Sequence, residues 1–407
     1  MEGWKYINLG DIIHIKHGYG FKGKYFVEEP NRNLLLTPGN FAIGGGFKSG
    51  KMKYYDGPIN DEFVLCPGDV IVTMTDLSMK ADTLGYSAKI PNNPENTYLH
   101  NQRLGLVSLK TNEFDLDYIY WLLRTYNYQK YIAGSSSGAT VKHTSPKKIY
   151  SAKLLVPESK VTQKRIADIL SAYDDLIENN LKRIKLLEQA AQNIYKEWFV
   201  NMRFPGHENT PINKETGLPV GWVKVLAKDY FYFKRGIEVG SKNYVREESE
   251  NTIPFLRVGS LGSRDTDIFT DISLVKDKIL KFTDVAVSMD GSIGLVGYGL
   301  VGAYSTGLRK VVPKSDKYGE GFIYCLLKSE DIQDTIRAYA KGSTILHASS
   351  SIDHLNFNNA PSGIANQFNS IIEPVYSKML NLNKQNLNLK SARDIILPRL
   401  MNRTIEV

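Results

Sequence analysis

Residues 118–143 read YIYWLLRTYNYQKYIAGSSSGATVKH, and residues 322–347 read FIYCLLKSEDIQDTIRAYAKGSTILH. The two stretches align without a gap at an offset of 204, and nine of their 26 positions are identical. So many identities at one fixed offset indicate an internal repeat, and the chain is predicted to contain one structural unit twice. In the first copy the identical residues are Ile119, Tyr120, Leu122, Leu123, Gln129, Ile132, Gly138, Thr140 and His143.

The repeat continues upstream with a drifting offset, as expected if loops have changed in length. Trp4 pairs with Trp222, Gly18 pairs with Gly236, and the run DVIVTM from Asp69 resembles a run DVAVSM further along. Each copy opens with short β-like runs that are broken by Gly, Pro and Asn, as strands and turns are. A helix follows, predicted over DLDYIYWLLRTYNYQKYI in the first copy, and a long helix closes each unit.

The two closing helices carry an apolar stripe, called the seam below, with spacings of three or four residues that are typical of coiled coils. The second seam is weaker, because Pro374 and Pro398 are expected to interrupt it and because Asn383 and Asn386 fall near it. Neither helix can bury its stripe alone, so the two are predicted to pack together in an antiparallel pair. In residues 161–200 the seam consists of Ile166, Leu170, Tyr173, Ile177, Leu181, Ile184, Leu187, Ala191, Ile194 and Trp198, and in residues 363–402 of Ile371, Val375, Met379, Leu382, Leu389, Ile396 and Leu400.

The predicted fold class is α+β. Two repeated α/β globules are separated by two long antiparallel coiled-coil-like helices around a pseudo-twofold axis, and the helices act as a spacer of fixed length. The predicted domains are a first globule over residues 1–158, a central long helix over 159–201, a Pro/Gly-rich linker over 202–221, a second globule over 222–362 and a C-terminal long helix over 363–407.

Composition limits the class of protein. The chain has 407 residues, of which 42% are apolar and 23% charged, and its net charge of +8 permits an anionic partner without demanding one. No apolar run approaches the roughly 18 residues that a membrane span needs, and no secretory signal is visible, so we expect a cytoplasmic protein without membrane contact. With Cys66 and Cys325 alone, neither a disulfide framework nor a zinc site is expected.

Two glycine-rich runs match phosphate-binding motifs only superficially. The run GYGFKG from Gly18 matches G-x-G-x-x-G, but no helix start follows to hold a pyrophosphate. The run GGFKSGK from Gly45 lacks the Ser or Thr that a P-loop uses on Mg²⁺, because Met52 stands there. No histidine spacing suits a metal and no nucleophile motif occurs, so no catalytic residue and no metal ligand is predicted. His143 and His347 correspond across the repeat, and for both a turn-capping or core hydrogen bond is favoured over a nucleic-acid contact.

The repeat and its motifs resemble the specificity subunits of Type I restriction–modification systems over essentially the whole chain. In the first copy the resemblance rests on the run from Asp69, on Asn101-Gln102, on Gly138-Ala-Thr140, and on Leu154-Leu-Val-Pro157 followed by Gln163 and the long helix. The second copy keeps Asp284, Gly342-Ser-Thr344, Pro361 and Gln367, but has Ser305-Thr306 in place of the Asn-Gln pair.

The resemblance implies a function and a set of partners. Each globule would be a target recognition domain that reads half of a bipartite, asymmetric site in double-stranded DNA. The helices would set the spacer between the half-sites and dock two modification (methyltransferase) subunits, which bind S-adenosylmethionine and methylate adenine N6. Two restriction/translocase subunits, which use ATP and Mg, would join to cleave DNA. The chain itself would bind no cofactor and catalyse nothing.

Candidate DNA-binding residues are polar loop positions within each globule, because phosphate and base contacts need Lys, Arg, Asn, Gln, Ser, Thr or Asp side chains. The loops at Thr75–Ser78 and Asp290–Ser292 are the preferred base readers, since each directly follows a matched strand. The candidates in the first globule are Lys22, Lys24, Asn40, Lys48, Lys51, Thr75, Asp76, Ser78, Lys80, Asn101, Gln102, Arg103 and Lys142. Those in the second are Arg235, Lys242, Asn243, Arg257, Ser260, Arg264, Asp290, Ser292, Thr306, Arg309, Lys341 and Ser343.

Two alternative functions remain open from the residues alone. A non-catalytic carbohydrate-binding or adhesion protein is one, because two β-rich globules in a chain with 24 tyrosines could display aromatic platforms for sugars. A hydrolase that acts alone is the other, although it lacks a credible site. Neighbouring genes for an adenine methyltransferase and a helicase-like nuclease would favour the restriction–modification function over both.

Overall fold

The computed structural model describes residues 3–49, 52–77, 81–264, 266–343 and 345–407. The chain folds into two compact units. Unit 1 comprises Met1–Leu176 and Leu389–Val407, and unit 2 comprises Ile177–Asn388. Each unit therefore combines one sheet-containing globule with part of both long helices. The predicted domains are consecutive segments of the sequence, whereas each unit combines separate segments. The predicted domain boundaries stay a prediction.

Unit 1 begins with strands that are short and separated by tight turns. Its strands are β1 (Trp4–Asn8), β2 (Ile13–His17), β3 (Phe26–Val27), β4 (Asn33–Leu35), β5 (Lys53–Tyr55), β6 (Val64–Leu65), β7 (Val70–Thr73), β8 (Thr75–Asp76), β9 (Ser87–Lys89), β10 (Thr97–Leu99), β11 (Leu104–Leu109), β12 (Lys142–His143) and β13 (Lys153–Pro157). Its helices are α1 (Leu9–Ile12), α2 (Leu116–Leu122), α3 (Tyr126–Ser135), α4 (Pro146–Tyr150) and the first part of α5 (Lys160–Tyr195).

Unit 2 repeats this order of elements. Its strands are β14 (Val223–Leu226), β15 (Phe231–Arg235), β16 (Thr252–Leu256), β17 (Phe269–Asp271), β18 (Ile279–Leu280), β19 (Val285–Ser288), β20 (Val296–Gly297), β21 (Gly302–Tyr304), β22 (Leu308–Pro313) and β23 (Asn356–Asn359). Its helices are α6 (Ala227–Tyr230), α7 (Val258–Ser263), α8 (Glu320–Lys328), α9 (Glu330–Ala338) and most of α10 (Ser362–Met401). A π-helical turn, Lys196–Val200, follows α5.

The central sheets of the two units have the same topology. Unit 1 has the strand order β2-β11-β7-β9, and unit 2 has β15-β22-β19-β20. A two-stranded pair, β1-β13 or β14-β23, and a second sheet, β3-β5-β4-β10-β6 or β17-β16-β21-β18, accompany the central sheet in each unit. The predicted α+β class and the predicted duplication are thus confirmed.

The repeated aspartates explain why the matched strands β7 and β19 begin where they do. The Asp69 carboxylate accepts a hydrogen bond from the Cys66 backbone N–H at 2.8 Å, and Asp284 accepts one from Lys281 at 2.6 Å. Each aspartate closes a turn directly before a strand whose residues are all buried. Carboxylates favour such turns because they bond their own neighbouring backbone.

The helix predicted within the repeat is divided into two shorter helices in each unit. Thr125 separates α2 from α3, and Ser329 separates α8 from α9, both with extended backbone angles. Each hydroxyl donates to a carbonyl of the preceding helix, Thr125 to Leu122 at 2.8 Å and Ser329 to Leu326 at 2.7 Å. A short hydroxyl side chain competes with the helical hydrogen bonds in this way, and the prediction of one uninterrupted helix was wrong for that reason.

The two long helices pair in an antiparallel direction within each unit. In unit 1, Ile166 and Leu170 of α5 share one core with Leu397 and Leu400 of α10. In unit 2, the Tyr195 ring of α5 lies 6.2 Å from that of Phe368 of α10, and Asn180 bonds Asn386 nearer the other end. Residue numbers therefore fall along α10 as they rise along α5, as predicted.

Two kinds of expectation about the seam were wrong in detail. Helix α10 runs through Pro374 and Pro398 without a break, because the turns next to each proline pack on the core of their own unit and this packing offsets one lost hydrogen bond. Leu181 and Ile371 are 49% and 40% exposed, so these two predicted seam residues face outward. Asn180 takes the buried position beside Leu181.

Within the described residues, no helix has both the length and the apolar character that a membrane crossing requires.

Candidate nucleic-acid interface

One end of the central sheet of unit 1 gathers segments that are far apart in the sequence. Strand β11 is antiparallel to both β2 and β7, with Gly105 opposite His17 and Leu104 opposite Thr73. The end of β2, the start of β11 and the end of β7 therefore meet at the same edge. The loops that carry Lys22 and Asn101–Arg103 leave the sheet there, and the short strand β8 (Thr75–Asp76) follows β7 at the same edge. We call this region the sheet end of unit 1.

Backbone contacts hold these loops against each other. Tyr19 forms a parallel bridge with Asn101, and the Gln102 N–H donates to the Tyr19 carbonyl at 2.9 Å. The Asn101 side chain accepts from the Arg103 N–H at 3.0 Å, which closes a tight turn. The Arg103 carbonyl in turn accepts from Met74 N–H at 3.0 Å. Gln102 and Arg103 are left exposed at the tip.

The turn formed by Gly138-Ala-Thr140 contacts the same sheet end. Strand β12 pairs with β8, with Lys142 opposite Asp76 and His143 opposite Thr75. The His143 Nδ1 atom lies 3.2 Å from the Thr75 hydroxyl. Gly138 has φ +99°, and a Cβ there would lie 2.0 Å from the Val141 carbonyl, so only glycine fits this turn. His143 is exposed and holds the segment that carries Thr75, so it makes a hydrogen bond that anchors a turn and not one inside the core.

Unit 2 assembles the same region from the corresponding strands. Gly236 follows β15, Ile237 bridges Ser305 before β22, and the loop after β19 carries Asp290. His347 Nδ1 lies 2.8 Å from the Asp290 carboxylate, and its backbone bridges both Asp290 and Lys341. The repeat histidine therefore anchors the segment that follows the matched strand in both units, although its partner is a hydroxyl in one and a carboxylate in the other.

The exposure of the candidate residues divides them into two groups. Lys51, Ser78 and Lys80 lie outside the described residues. The exposed candidates are Lys22, Lys24, Lys48, Gln102, Arg103, Arg235, Lys242, Arg257, Ser292, Lys341 and Ser343. The half-buried candidates are Asn101, Lys142, Asn243, Arg264, Asp290 and Thr306, and the buried ones are Asn40, Thr75, Asp76, Ser260 and Arg309.

The buried candidates are engaged inside the fold. Asp76 accepts two bonds from Thr83, at 2.6 Å from the N–H and 2.7 Å from the hydroxyl. Asn40 accepts from the Thr37 N–H at 2.8 Å, and Ser260 accepts from the Arg257 N–H at 3.1 Å. These side chains stabilise a short strand, a 3-10 turn and the start of α7, and their contact with DNA stays a prediction.

Arg309 is the buried cation of the sheet end of unit 2. Its guanidinium donates to the Thr306 carbonyl at 2.6 Å and to the Ser349 hydroxyl at 2.7 Å. Burial, and then the nearby charge of Arg235, lower the pKa of Arg309. Since Arg235 lies opposite Arg309 on β15 and is exposed, an anion at this edge would relieve the repulsion between the two cations.

Not every candidate lies at a sheet end. Lys24 belongs to a 3-10 turn, Gly23–Tyr25, and Asn40 to another, Pro38–Asn40. Lys242 and Asn243 share the 3-10 turn Ser241–Asn243. Arg257, Ser260 and Arg264 border or belong to α7, and Arg264 contacts the long helices. The sheet ends thus bring together Lys22, Thr75, Asp76, Asn101, Gln102, Arg103 and Lys142 in unit 1, and Arg235, Asp290, Ser292, Thr306, Arg309, Lys341 and Ser343 in unit 2.

His100 supports the Asn101–Arg103 turn from inside. Its side chain is 1% exposed, and Nε2 lies 3.0 Å from the Leu104 carbonyl, so that nitrogen carries the proton that it donates. Burial lowers the pKa of His100 from its ordinary 6.5 to about 4, although the bond to Leu104 opposes the shift. The neutral imidazole is therefore the form that the folded protein holds.

This neutral histidine predicts an acid-sensitive step in stability. Because the pKa in the folded state is lower than in the unfolded state, stability is intact above pH 6.5 and is lost as the pH falls from there toward 4. We expect wild-type protein to lose about 1 kcal/mol more than His100→Gln between pH 7 and pH 5.5, measured by denaturant unfolding. Equal losses in the two proteins would contradict the assignment.

Sequence reasoning missed two kinds of residue in this region. The anchoring partners of the histidines, Thr75 in one unit and Asp290 in the other, were selected as base readers and not as anchors. Thr83, which holds Asp76, was not selected at all. The correspondence of His143 with His347 across the repeat could have indicated that each histidine has a bonding partner nearby. Nothing in the sequence indicates that Thr83 bonds Asp76.

The sequence of this chain is similar to those of known proteins. Residues 1–189 match a family described as the Type I restriction modification DNA specificity domain. The MjaIX specificity subunit of a Type I restriction enzyme from Methanocaldococcus jannaschii is 26% identical over 302 residues, covering 70% of this chain and 68% of that protein. The HindI specificity subunit from Haemophilus influenzae is 21% identical and covers 99% of both chains.

One solved structure supports the fold. The crystal structure of a Type I restriction–modification S subunit from M. genitalium superimposes with a TM-score of 0.54, at 16% sequence identity, over 98% of this chain and 96% of that one. At this identity the likeness concerns the arrangement of helices and strands. It agrees with the mixed helix and strand content and with the long helices described above.

Proposed function

We infer that this chain is a specificity subunit of the Type I restriction–modification family, a subunit that is non-catalytic itself. The family match over residues 1–189 and the relatives that span 70% to 99% of the chain support this conclusion. The structural observation that carries it is the repeated sheet end, which occurs once in each unit with the same strand order and the same histidine anchor.

We propose that each sheet end reads one half of a bipartite site in double-stranded DNA. The exposed cations Lys22 and Arg103 in unit 1, and Arg235 and Lys341 in unit 2, suit phosphate contacts that position the duplex. Exposed amides and hydroxyls such as Gln102 and Ser292 suit base edges in the major groove. Because the two sheet ends carry different side chains, the half-sites that they read would differ and the site would be asymmetric.

The partners belong to the same proposal. Two modification subunits would dock on the long helices and methylate adenine N6 with S-adenosylmethionine, and two restriction/translocase subunits would supply ATP- and Mg-dependent cleavage. The chain would contribute recognition alone and bind none of these cofactors. In this proposal the helices also set the unread spacer between the half-sites.

The carbohydrate-binding alternative receives no support from the relatives, whose names describe specificity subunits. Many of the aromatic rings are also used in the interior. Tyr318, Phe322, Phe199 and Phe368, for example, belong to the core of unit 2.

Exchange of one globule tests the proposed function. Replacing residues 1–158 by the corresponding segment of another specificity subunit is expected to change one half of the methylated motif and leave the other half and the spacer unchanged. Sequencing of modified adenines in cells that carry the complete system measures the result. The matched control exchanges residues 222–362 and should change the other half. A motif in which both halves change, or neither does, would contradict the proposal.

A further inference from the structure

A buried arginine joins the globule of unit 1 to its helix pair. Arg124 follows α2, and its side chain is 2% exposed. Its Nη1 atom lies 3.0 Å from a carboxylate oxygen of Asp174 on α5 and also donates to the Tyr120 hydroxyl at 2.5 Å. Its Nε donates to the Gly44 carbonyl at 3.0 Å, and the guanidinium lies 4.2 Å from the Trp121 ring. The donors of this guanidinium thus reach both the globule and the helix.

The acceptor on α5 is shared with the other long helix. The second carboxylate oxygen of Asp174 pairs with the Arg393 guanidinium on α10, whose side chain is 12% exposed. Asp174 therefore lies between two arginines, one from the globule and one from α10. This chain of contacts, Arg124–Asp174–Arg393, is called clamp 1 below.

Unit 2 contains a matching contact built from different residues. Arg264 adopts a left-handed backbone conformation with φ 56° at the end of α7. Its guanidinium donates to Glu188 on α5 and to Asn383 on α10, both at 3.2 Å, and lies 4.6 Å from the Tyr298 ring. The Tyr298 hydroxyl donates to the same Glu188 oxygen at 2.8 Å. The chain Arg264–Glu188–Asn383 is called clamp 2.

The two clamps were not copied with the repeat. At the offset of 204 that aligns the repeat blocks, Arg124 corresponds to Lys328, and Arg264 lies about 60 residues before that position. Tyr120 and Tyr324 do correspond, and burial raises the pKa of both phenols, which keeps them protonated. The two units thus form the same kind of contact from residues that do not correspond in the repeat. In both, a stacked guanidinium binds a carboxylate of α5, and a polar group of α10 completes the contact.

Physical chemistry argues against stability as the main benefit of such contacts. Removing charges from water is costly, so a buried ion pair is often no more stable than apolar residues of similar volume. This cost is largest in clamp 1, because Arg264 and Glu188 of clamp 2 are 31% and 24% exposed. What the pair adds is direction, because guanidinium and carboxylate bond only in a narrow range of angles. An apolar patch alone would allow the globule to rock on the helices.

We propose that clamps 1 and 2 fix the orientation of each globule on its own segment of the helix pair, which makes their members positioning residues for half-site reading. This inference rests on the proposed function. Base-edge hydrogen bonds tolerate errors of only a few tenths of an ångström, and a displacement of about 1 Å at a reading loop can cost on the order of 100-fold in rate. The spacer that the complex accepts then depends on the clamps as well as on helix length.

The test uses a double substitution that removes the charges together. Arg264→Met with Glu188→Met replaces the ion pair of clamp 2 by apolar side chains and leaves no unpaired buried charge. The complete methyltransferase complex is assayed on duplexes that carry the motif found by methylation sequencing, with the native spacer and with one base pair more or less. We expect the preference for the native spacer to fall by about tenfold or more in protein that still unfolds cooperatively. A modest fall in the thermal unfolding midpoint is expected as well, because the Tyr298 hydroxyl loses its acceptor on Glu188.

Three comparisons make the outcome decisive. Arg246→Met with Asp267→Met, an exposed ion pair of the same unit, should leave the spacer preference as in wild type. If the double variant of clamp 2 folds poorly, two milder substitutions replace it. These are Glu188→Gln, which keeps an oxygen acceptor, and Arg124→Lys in clamp 1, and both are expected to weaken the preference for the native spacer. A folded variant with the wild-type spacer preference would overturn the clamp proposal. Failure of the proposed function would already appear in wild type, as equal activity on every duplex.

Discussion

Inserting seven residues after Leu176 in α5 and seven after Asn388 in α10 is expected to lengthen the unread spacer by about one to three base pairs. Seven residues add about 10.5 Å of helix, which matches about three base pairs of B-DNA at 3.4 Å each. DNA twist turns the half-site by about 34° per added base pair and therefore limits the gain. The bases read at either end should not change, because neither sheet end is altered.

A full heptad in both helices is needed because of the antiparallel pairing. Seven residues keep the seam on the same face of each helix. Insertion into α5 alone would displace Asp174 from Arg393 or Asn180 from Asn386, and we expect this single insertion to abolish the folded protein. Sequencing of modified adenines reports the spacer, and soluble yield reports folding. A double insertion that folds and leaves the spacer unchanged would remove the helices as the determinant of spacing.

The substitution Gly18→Ala is expected to destabilise unit 1 by about 3 kcal/mol, near the upper end for overpacking. A Cβ at this position would lie 2.3 Å from the Asn101 carbonyl oxygen and 2.4 Å from that of His100. Both atoms belong to the backbone of the sheet end, so they cannot move away without breaking the bridge between Tyr19 and Asn101. Thermal unfolding measures the loss, and reading of the first half-site should weaken with it.

Gly236→Ala is the counterpart in unit 2, where the Cβ would lie 2.2 Å from the carbonyl oxygens of both Tyr304 and Ser305. It should weaken the second half-site by the same mechanism. Gly23→Ala is the control, because no atom lies within 4 Å of a Cβ there. Wild-type stability in Gly18→Ala, or an equal loss in Gly23→Ala, would show that the close backbone approach is not what restricts the position to glycine.

Several features could be predicted because they depend on residues that are repeated or periodic. The alignment of Gly18 with Gly236 and of His143 with His347 located positions that prove to have the same role in both units. The apolar spacing in residues 161–200 located one long helix and required a partner for its stripe. In each case the physical cause restricts which residue type can occupy the position. The causes are a close backbone approach, a turn anchor and a buried apolar stripe, and the sequence alone therefore indicates them.

Other features depend on which segments the fold brings together. Lys22 and Gln102 meet at one sheet end because of the antiparallel register of β2, β7 and β11, and the pairing of β12 with β8 adds Lys142. The distances between these residues in the sequence do not indicate this. Arg264 was selected as a loop cation for DNA, whereas the fold directs its guanidinium toward Glu188 and Asn383. Whether an arginine faces water or a buried carboxylate is determined by its neighbours in space.

The amino-acid sequence by itself determined that this protein is one α/β unit used twice, with a long apolar-striped helix after each copy, because periodicity and repetition are properties of a single chain. The tertiary structure decided which loops share a sheet end, which arginines are buried and where the helix pair carries polar contacts. Those outcomes follow from strand register and packing, in which residues from distant parts of the sequence must satisfy each other's charges and hydrogen bonds at the same time.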